Sequence, residues 1–382
     1  MNNIQIKNVT VLGSGIMGHG IAQIASMAGY NVTLRDIDQK LLDKAMNNIK
    51  WSLDKLITKN KLTQQKCEDI YNRIKPTINL TDAVQKCDLI IEAVPEIMKL
   101  KQTVYAELEK IAADNVIFAS NTSTLPITEI SKITKRPDKV IGIHFFNPPQ
   151  LMKLVEIIPG EKTDQHITEA INNFVLSLNK NPILCRKDVP GFIVNRLFIP
   201  MVHEACHIRE RQHNSLLEID SVVKFKLGFP MGIFELADFT GLDVIHKATI
   251  EMQSRNTNII NKNHIIEDLY KNNNLGRKTG EGFYKYDRTQ YTRVNLSEDL
   301  ADKCDPIQII SNIINNAAWL ISHDVSDIDE IEKAVKLGLG IKIPIFKTAK
   351  KYGIQNIINT LNEMYKKYGN VYKPDELLYK LI

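Results

Sequence analysis

The chain has 382 residues, 43% hydrophobic and 24% charged, the balance of an ordinary folded protein and long enough for two or three domains. Its net charge of +5, from 49 basic and 44 acidic residues spread along the chain, argues against a nucleic-acid partner, and no apolar run approaches the length of a membrane span. Five cysteines, Cys67, Cys87, Cys185, Cys206 and Cys304, are widely spaced and never in a C-x-x-C pair. They fit a reducing, cytoplasmic setting and no disulfide or zinc framework.

In chain order, residues 9–12 read as a strand that runs into a glycine turn, a start unlike a secretory leader. Short apolar runs follow at 31–35, 89–93, 116–119 and 140–145, with helical periodicity between them. That alternation predicts βαβ units and a Rossmann-type, doubly wound and mostly parallel sheet. Residues 39–75 are strongly helical and rich in lysine (Lys44, Lys50, Lys55, Lys59, Lys61, Lys66), enough for a helical pair projecting from the sheet. Character changes at the breaker pair Pro190–Gly191, after which the chain reads helical to about Met252. A glycine-rich stretch from Leu275 to Tyr286 closes this part, and residues 292–306 read as a polar linker.

The last segment repeats the one before it. EIDSVVKFKLG at 218–228 echoes EIEKAVKLGLG at 330–340, and the register continues through Phe234 with Phe346, Gly241 with Gly353 and Met252 with Met364, without a gap. The expected organisation is therefore a sheet domain over 1–186, a helical domain over 187–291 and a second, repeated helical domain over 292–382. Two such copies can bury each other's apolar faces as a symmetric dimer would. The chain is then a monomer with an internal pseudo-dimer, or a homodimer.

The loop Gly13, Ser14, Gly15, Ile16, Met17, Gly18 follows the first strand and opens a helix, and Asp36 ends the next strand. The first glycine permits a tight turn, the second lets backbone approach a pyrophosphate, and the third lets helix pack on strand. A helix N-terminus then offers N–H groups to the phosphates. Asp36 suits the ribose hydroxyls of NAD and opposes the 2′-phosphate of NADP, although Arg35 beside it softens that discrimination.

Two segments carry chemistry. ASNTSTL at 119–125 puts hydroxyls and an amide at the C-terminal end of a strand, where open α/β sheets bind ligands; the same turn also suits a helix cap. In IGIHFFNPP at 141–149, followed by LVEI at 154–157, His144 and Glu156 sit in two apolar runs joined by a turn. A histidine held by a carboxylate can exchange protons near neutral pH, and it can equally be a satisfied core contact. Asn195, in an apolar helical stretch, needs a hydrogen-bond partner.

In order, GSGIMGHG, SNTSTL, HFFNPP, MKLVE, DVPGFIVNR and GRKTGEGFYKY closely resemble the L-3-hydroxyacyl-CoA dehydrogenase family, including 3-hydroxybutyryl-CoA dehydrogenases, over nearly everything up to residue 287. The repeat resembles the second helical copy of longer members, here without their hydratase portion. The resemblance implies NAD-dependent, reversible oxidation of a short (S)-3-hydroxyacyl-CoA by hydride transfer, with no membrane or nucleic-acid partner. It makes His144 the acid–base group, Glu156 its orienting partner, and Ser123 and Asn195 donors around the reacting oxygen. Glu96, Lys101, Ser123, Asn147 and Lys278 match cofactor contacts, and Ser52, Lys59 and Ser123 match coenzyme A contacts. Ile97 departs from the family's usual asparagine. In the second copy Lys350 replaces Asp238, so that copy reads as structural. A sugar-acid dehydrogenase of the gulonate type, or a non-catalytic NAD- or acyl-CoA-binding protein, are the alternative readings.

Overall fold

The computed structural model describes residues 4–287 and 292–381, which form two compact units, Met1–Asp188 and Val189–Ile382. The first is built on an eight-stranded sheet in the order β3-β2-β1-β4-β5-β6-β7-β8. Its strands are β1 (Asn8–Leu12), β2 (Asn31–Arg35), β3 (Ile74–Thr77), β4 (Leu89–Glu92), β5 (Ile117–Ser120), β6 (Val140–Phe145), β7 (Leu154–Pro159) and β8 (Asn181–Leu184). Every neighbouring pair is parallel except β6 and β7. The helices of this unit are α1 (Ile16–Met27), α2 (Gln39–Thr58), α3 (Gln64–Asn72), α4 (Leu80–Val84), α5 (Met98–Ile111), α6 (Ile127–Ser131) and α7 (Gln165–Ser177).

The inner strands are buried along nearly their whole length and are mostly apolar, because both faces are covered. Alternate residues Val9, Val11, Leu34, Leu89, Ile91, Ile141 and Ile143 pack in one core with Ile21 of α1, Ile49 of α2 and Phe174 of α7. On the opposite face Phe118 meets Tyr105 of α5 edge-on, with ring centroids 5.7 Å apart.

The lysine-rich interval forms the expected helical pair. Asp38 caps α2 by accepting from the Lys40 N–H, and Thr63 caps α3 from Lys66. Leu42, Ala45, Met46, Ile49 and Leu53 recur at helical spacing and join the core beside α1, so the pair is anchored along the sheet's own cover. Strand β3 was not expected, since IKPT is short and contains Pro76. It pairs only with β2, and at a sheet edge a missing N–H costs little.

The second unit is all helical. It runs α8 (Val194–Gln212), α9 (Leu216–Phe225), α10 (Ile233–Thr240), α11 (Leu242–Arg255), α12 (His264–Lys271), α13 (Glu298–Ala301), α14 (Ile307–Ser322), α15 (Ile328–Gly338), α16 (Ile345–Tyr352), α17 (Ile354–Tyr368) and α18 (Glu376–Tyr379). In the repeat register α8 to α11 fall on α14 to α17. Ser215 and Asp327 cap α9 and α15 at equivalent places, and Gly241 and Gly353, both at positive φ, separate the last two helices of each copy.

The equivalence extends to packing. Asp220 of α9 accepts from the N–H groups of Phe234 and Glu235, whereas Glu332 of α15 accepts from Ile345 and Phe346. The contact between copies is reciprocal: Gly228 lies against Ile343, and its counterpart Gly340 lies against Pro230. Residues 292–306, expected as a linker, are instead held down. Arg293 donates to the Pro230 carbonyl, the Val294 N–H to Glu235, and Leu296 is buried. The expected domain boundary after residue 291 falls beside residues outside the described ones.

A buried polar bridge also joins the copies. Glu204 of α8 accepts from the Tyr372 hydroxyl at 2.5 Å, Tyr372 accepts from Asn261, and Arg211 lies 3.3 Å from Glu204 and stacks on Tyr368. Burial pushes the Glu204 carboxyl up to about 7, against the pull of Tyr372 and Arg211. A carboxyl raised in the folded state holds a proton the unfolded chain has lost, so its stabilising effect is full at acid pH and fades as pH rises through about 7. Glu204→Gln removes this dependence. Its stability relative to the natural protein should rise by about 2–3 kcal/mol between pH 5 and pH 8.5. Urea unfolding at the two pH values measures this, and equal differences at both would contradict the assignment.

Candidate active site

The loop after β1 is shaped by what its glycines cannot carry. Gly13 has φ +93°, and a Cβ there would sit 2.6 Å from the Ala93 carbonyl oxygen; at Gly18 it would fall 1.7 Å from that of Gly13. At Gly15, by contrast, a Cβ would meet nothing within 4 Å. The backbone there is open to a ligand, at the start of α1, which has no side-chain cap and no acidic residue in its first turn. Asp36 is already fixed to this loop: its Oδ2 accepts from both the N–H and the hydroxyl of Ser14, each at 2.6 Å. An open approach, an uncapped helix start and a fixed carboxylate suit a dinucleotide.

The next strand ends form a charge relay the sequence had not revealed. Glu92, at the end of β4, is fully buried and accepts from Lys101 at 2.7 and 3.0 Å, from the Val94 N–H at 2.8 Å and from the Ser120 hydroxyl at 2.7 Å. Lys101 also lies 3.2 Å from Glu96. Glu96 Oε1 in turn accepts from the Thr122 hydroxyl at 2.6 Å and the Ser123 N–H at 2.8 Å, with the Ser123 hydroxyl at 3.2 Å. Burial alone would raise the Glu96 carboxyl, but Lys101 and these donors outweigh it and hold it below the ordinary value. The Lys101 ammonium is likewise desolvated, yet its two carboxylates raise its pKa. Lys101 itself has no exposed surface.

His144 and Glu156 are directly opposite each other in the antiparallel β6/β7 pair. Cross-strand neighbours on one face are within side-chain reach, and His144 Nδ1 lies 2.6 Å from Glu156 Oε2. Glu156 is fully buried, and Phe146 packs beside the imidazole with ring centroids 4.4 Å apart. Two further residues hold this hairpin. Asn121, from the loop after β5, accepts from the Phe145 N–H at 2.9 Å. Lys180, just before β8, donates to the carbonyls of Pro149 at 2.5 Å and Met152 at 2.6 Å, fastening the turn between the two strands. Burial, reinforced by Lys153, lowers the Lys180 ammonium to about 8. The Asn121 amide was noted in the sequence only as part of the 119–125 cluster, and Lys180 was not singled out, because each acts on a segment distant along the chain.

The other expected residues are placed as follows. Ser52 accepts from Gln23 at 3.0 Å on α2, Lys59 is exposed at that helix's end, and Asn147 is exposed in the β6–β7 turn. Asn195 stands in the first turn of α8, and Lys278, exposed in the glycine-rich stretch, pairs with Asp243; both belong to the second unit.

Residues 8–189 match the family model described as 3-hydroxyacyl-CoA dehydrogenase, NAD binding domain, and residues 191–286 and 308–382 each match that for the C-terminal domain. The chain belongs to the 3-hydroxyacyl-CoA dehydrogenase family. It is an NAD-dependent oxidoreductase, and the first unit is its NAD-binding domain. It is 41% identical over 291 residues to the mitochondrial hydroxyacyl-coenzyme A dehydrogenase of Sus scrofa, covering 74% of this chain and 92% of the relative. It is 39% identical over 281 residues to a 3-hydroxybutyryl-CoA dehydrogenase of Clostridioides difficile, covering 73% and 99%. A crystal structure of 3-hydroxybutyryl-CoA dehydrogenase from Escherichia coli K12 superposes with a TM-score of 0.88 over 99% of this chain and 98% of that one, at 26% identity. Among the described residues no helix is long and apolar enough to cross a membrane, and no cluster suited to a metal ion occurs.

The relay ties the Ser123 loop to a fully buried counter-charge. Lys101→Met leaves Glu92 and Glu96 without their buried counter-charge and should destabilise the protein by about 3–5 kcal/mol. Denaturant unfolding checks this, and a loss below about 1 kcal/mol would mean the pair is no anchor.

Proposed function

We propose that the protein catalyses the reversible oxidation of short (S)-3-hydroxyacyl-CoA thioesters, such as 3-hydroxybutyryl-CoA to acetoacetyl-CoA, with His144 as acid–base group. The observation that carries this reading is the 2.6 Å contact between His144 Nδ1 and Glu156. In a neutral imidazole one nitrogen donates and the other accepts. Donation from Nδ1 to a carboxylate leaves Nε2 as the basic atom. The short-chain assignment draws on the relatives named for 3-hydroxybutyryl-CoA, including the Ralstonia eutropha structure, 36% identical over 74% of this chain with a TM-score of 0.71.

The Gly13–Gly18 loop and Asp36 would hold NAD, which when bound would supply the acceptor for the hydride leaving C3 of the substrate. His144 takes the hydroxyl proton at Nε2 as the carbonyl forms, and returns it in the reverse direction. Glu156 fixes the tautomer and stabilises the imidazolium, as a buried carboxylate does for other catalytic histidines. Ser123, oriented by Glu96, donates to the reacting oxygen, where negative charge accumulates; Asn195 takes the same role by family correspondence. Ser52 and Lys59 contact coenzyme A, and Asn147 and Lys278 the cofactor. The division into a sheet domain over 1–186, a helical domain over 187–291 and a structural repeat over 292–382 belongs to the same proposal, with the chain acting as a monomer or a homodimer.

NADH consumption followed by absorbance with acetoacetyl-CoA tests the reaction, and absence of turnover with both NADH and NADPH would refute it. His144→Gln should lower kcat by roughly 10²–10⁴-fold while NAD binding, followed by calorimetry, stays near the natural value. A variant that keeps its rate would remove His144 from the chemistry.

A further inference from the structure

Trp51 is the most exposed aromatic side chain among the described residues, at 61%. It lies on α2, a helix whose other large apolar residues mostly face the core. Lys55, one turn on, holds its ammonium 3.9 Å from the centre of the indole ring, and Lys59 follows after a second turn. An indole left in water forgoes the burial that normally favours such a side chain. The cation–π contact secures the ring's orientation, but at this exposure much of its surface remains open to a planar partner.

The neighbourhood shows the chemistry of that partner. Ser52, next to Trp51, lines a cavity of about 350 Å³ with Gln23, Gln150, Lys153 and Lys180. Gln150 and Lys153 belong to the turn that joins the strands of His144 and Glu156. The path along α2 thus begins at an aromatic platform flanked by Lys55 and Lys59 and leads into a cavity of mixed polar and apolar lining, with Leu56 and Leu151 beside the polar groups, next to the hairpin of the proposed acid–base pair. A planar base carrying phosphates, on a flexible polar arm, matches these features in order.

We infer that Trp51 and Lys55 form a stacking platform for the adenine of the coenzyme A thioester, with Lys55 and Lys59 facing its phosphates. This rests on the substrate class proposed above. Aromatic–base stacking is tolerant of sequence and strong enough to matter at an exposed site, and clustered lysines attract a polyanion before contact.

Trp51→Ala should raise KM for acetoacetyl-CoA about tenfold and change kcat less than twofold. With acetoacetyl-pantetheine, which lacks the nucleotide, the variant and the natural protein should have the same KM. Adenosine 3′,5′-bisphosphate should quench indole fluorescence in the natural protein and lose that effect in Trp51→Ala, whether or not turnover is observed. Turnover of acetoacetyl-CoA with an unchanged KM in the variant would overturn the platform and leave the reaction standing. Quenching by the bisphosphate without turnover would do the reverse. A KM rise of equal size with the truncated substrate would also overturn it, since the tryptophan would then act through the fold.

Discussion

One reversal of strand direction organises the first unit. All eight strands could have been joined by parallel crossovers, but β7 turns back against β6, and β8 runs parallel to β7. In an antiparallel pair, residues opposite each other point to the same face, and that places His144 and Glu156 side by side. A slip of one residue would send one of the two to the other face. The Lys180 ammonium on the turn carbonyls and the Asn121 side-chain oxygen on the Phe145 N–H therefore bear on this pair. They fix register, and register fixes the pair.

A second constraint is electrostatic. Three carboxylates, Glu92, Glu96 and Glu156, lie at or near the strand ends of the sheet half that carries the hairpin. Each would be costly to desolvate alone. Glu92 and Glu96 share Lys101, and Glu96 spends its remaining acceptor capacity on the Thr122–Ser123 backbone and hydroxyls. The burial of Lys101 makes it the counter-ion that keeps the Ser123 loop in shape.

What was legible in the sequence was local. The loop from Gly13 to Gly18 could be read because each glycine answers a steric demand within a few residues. The α2–α3 pair could be read because its caps and apolar spacing lie within one segment. His144 and Glu156 were visible because a short hairpin brings them together. The elements missed were those defined by distant partners. Residues 74–77 form a strand only because β2 offers an edge, and Glu92 becomes a hub only when α5 folds Lys101 over it. Trp51 drew no attention in the sequence, since its exposure cannot be seen until the core has taken its neighbours.

The repeat shows how far a duplicated sequence can drift while keeping its geometry. Glu332 replaces Asp220 as the carboxylate capping the next helix, and its bonds fall one residue earlier, on Ile345 and Phe346, as the extra methylene allows. Asp238 follows a different course. In the first copy it accepts from the Phe283 and Tyr284 N–H groups and the Tyr286 hydroxyl, gathering the glycine-rich stretch, and Gly276 and Gly282 have no room for a Cβ against it. In the second copy Lys350 takes this place; it is exposed in the last turn of α16, where a cation favours the helix end. The reciprocal fit of Gly228 on Ile343 and Gly340 on Pro230 is where both copies remain under the same steric limit. Both have kept the glycine there, because a side chain on either would push the two copies apart.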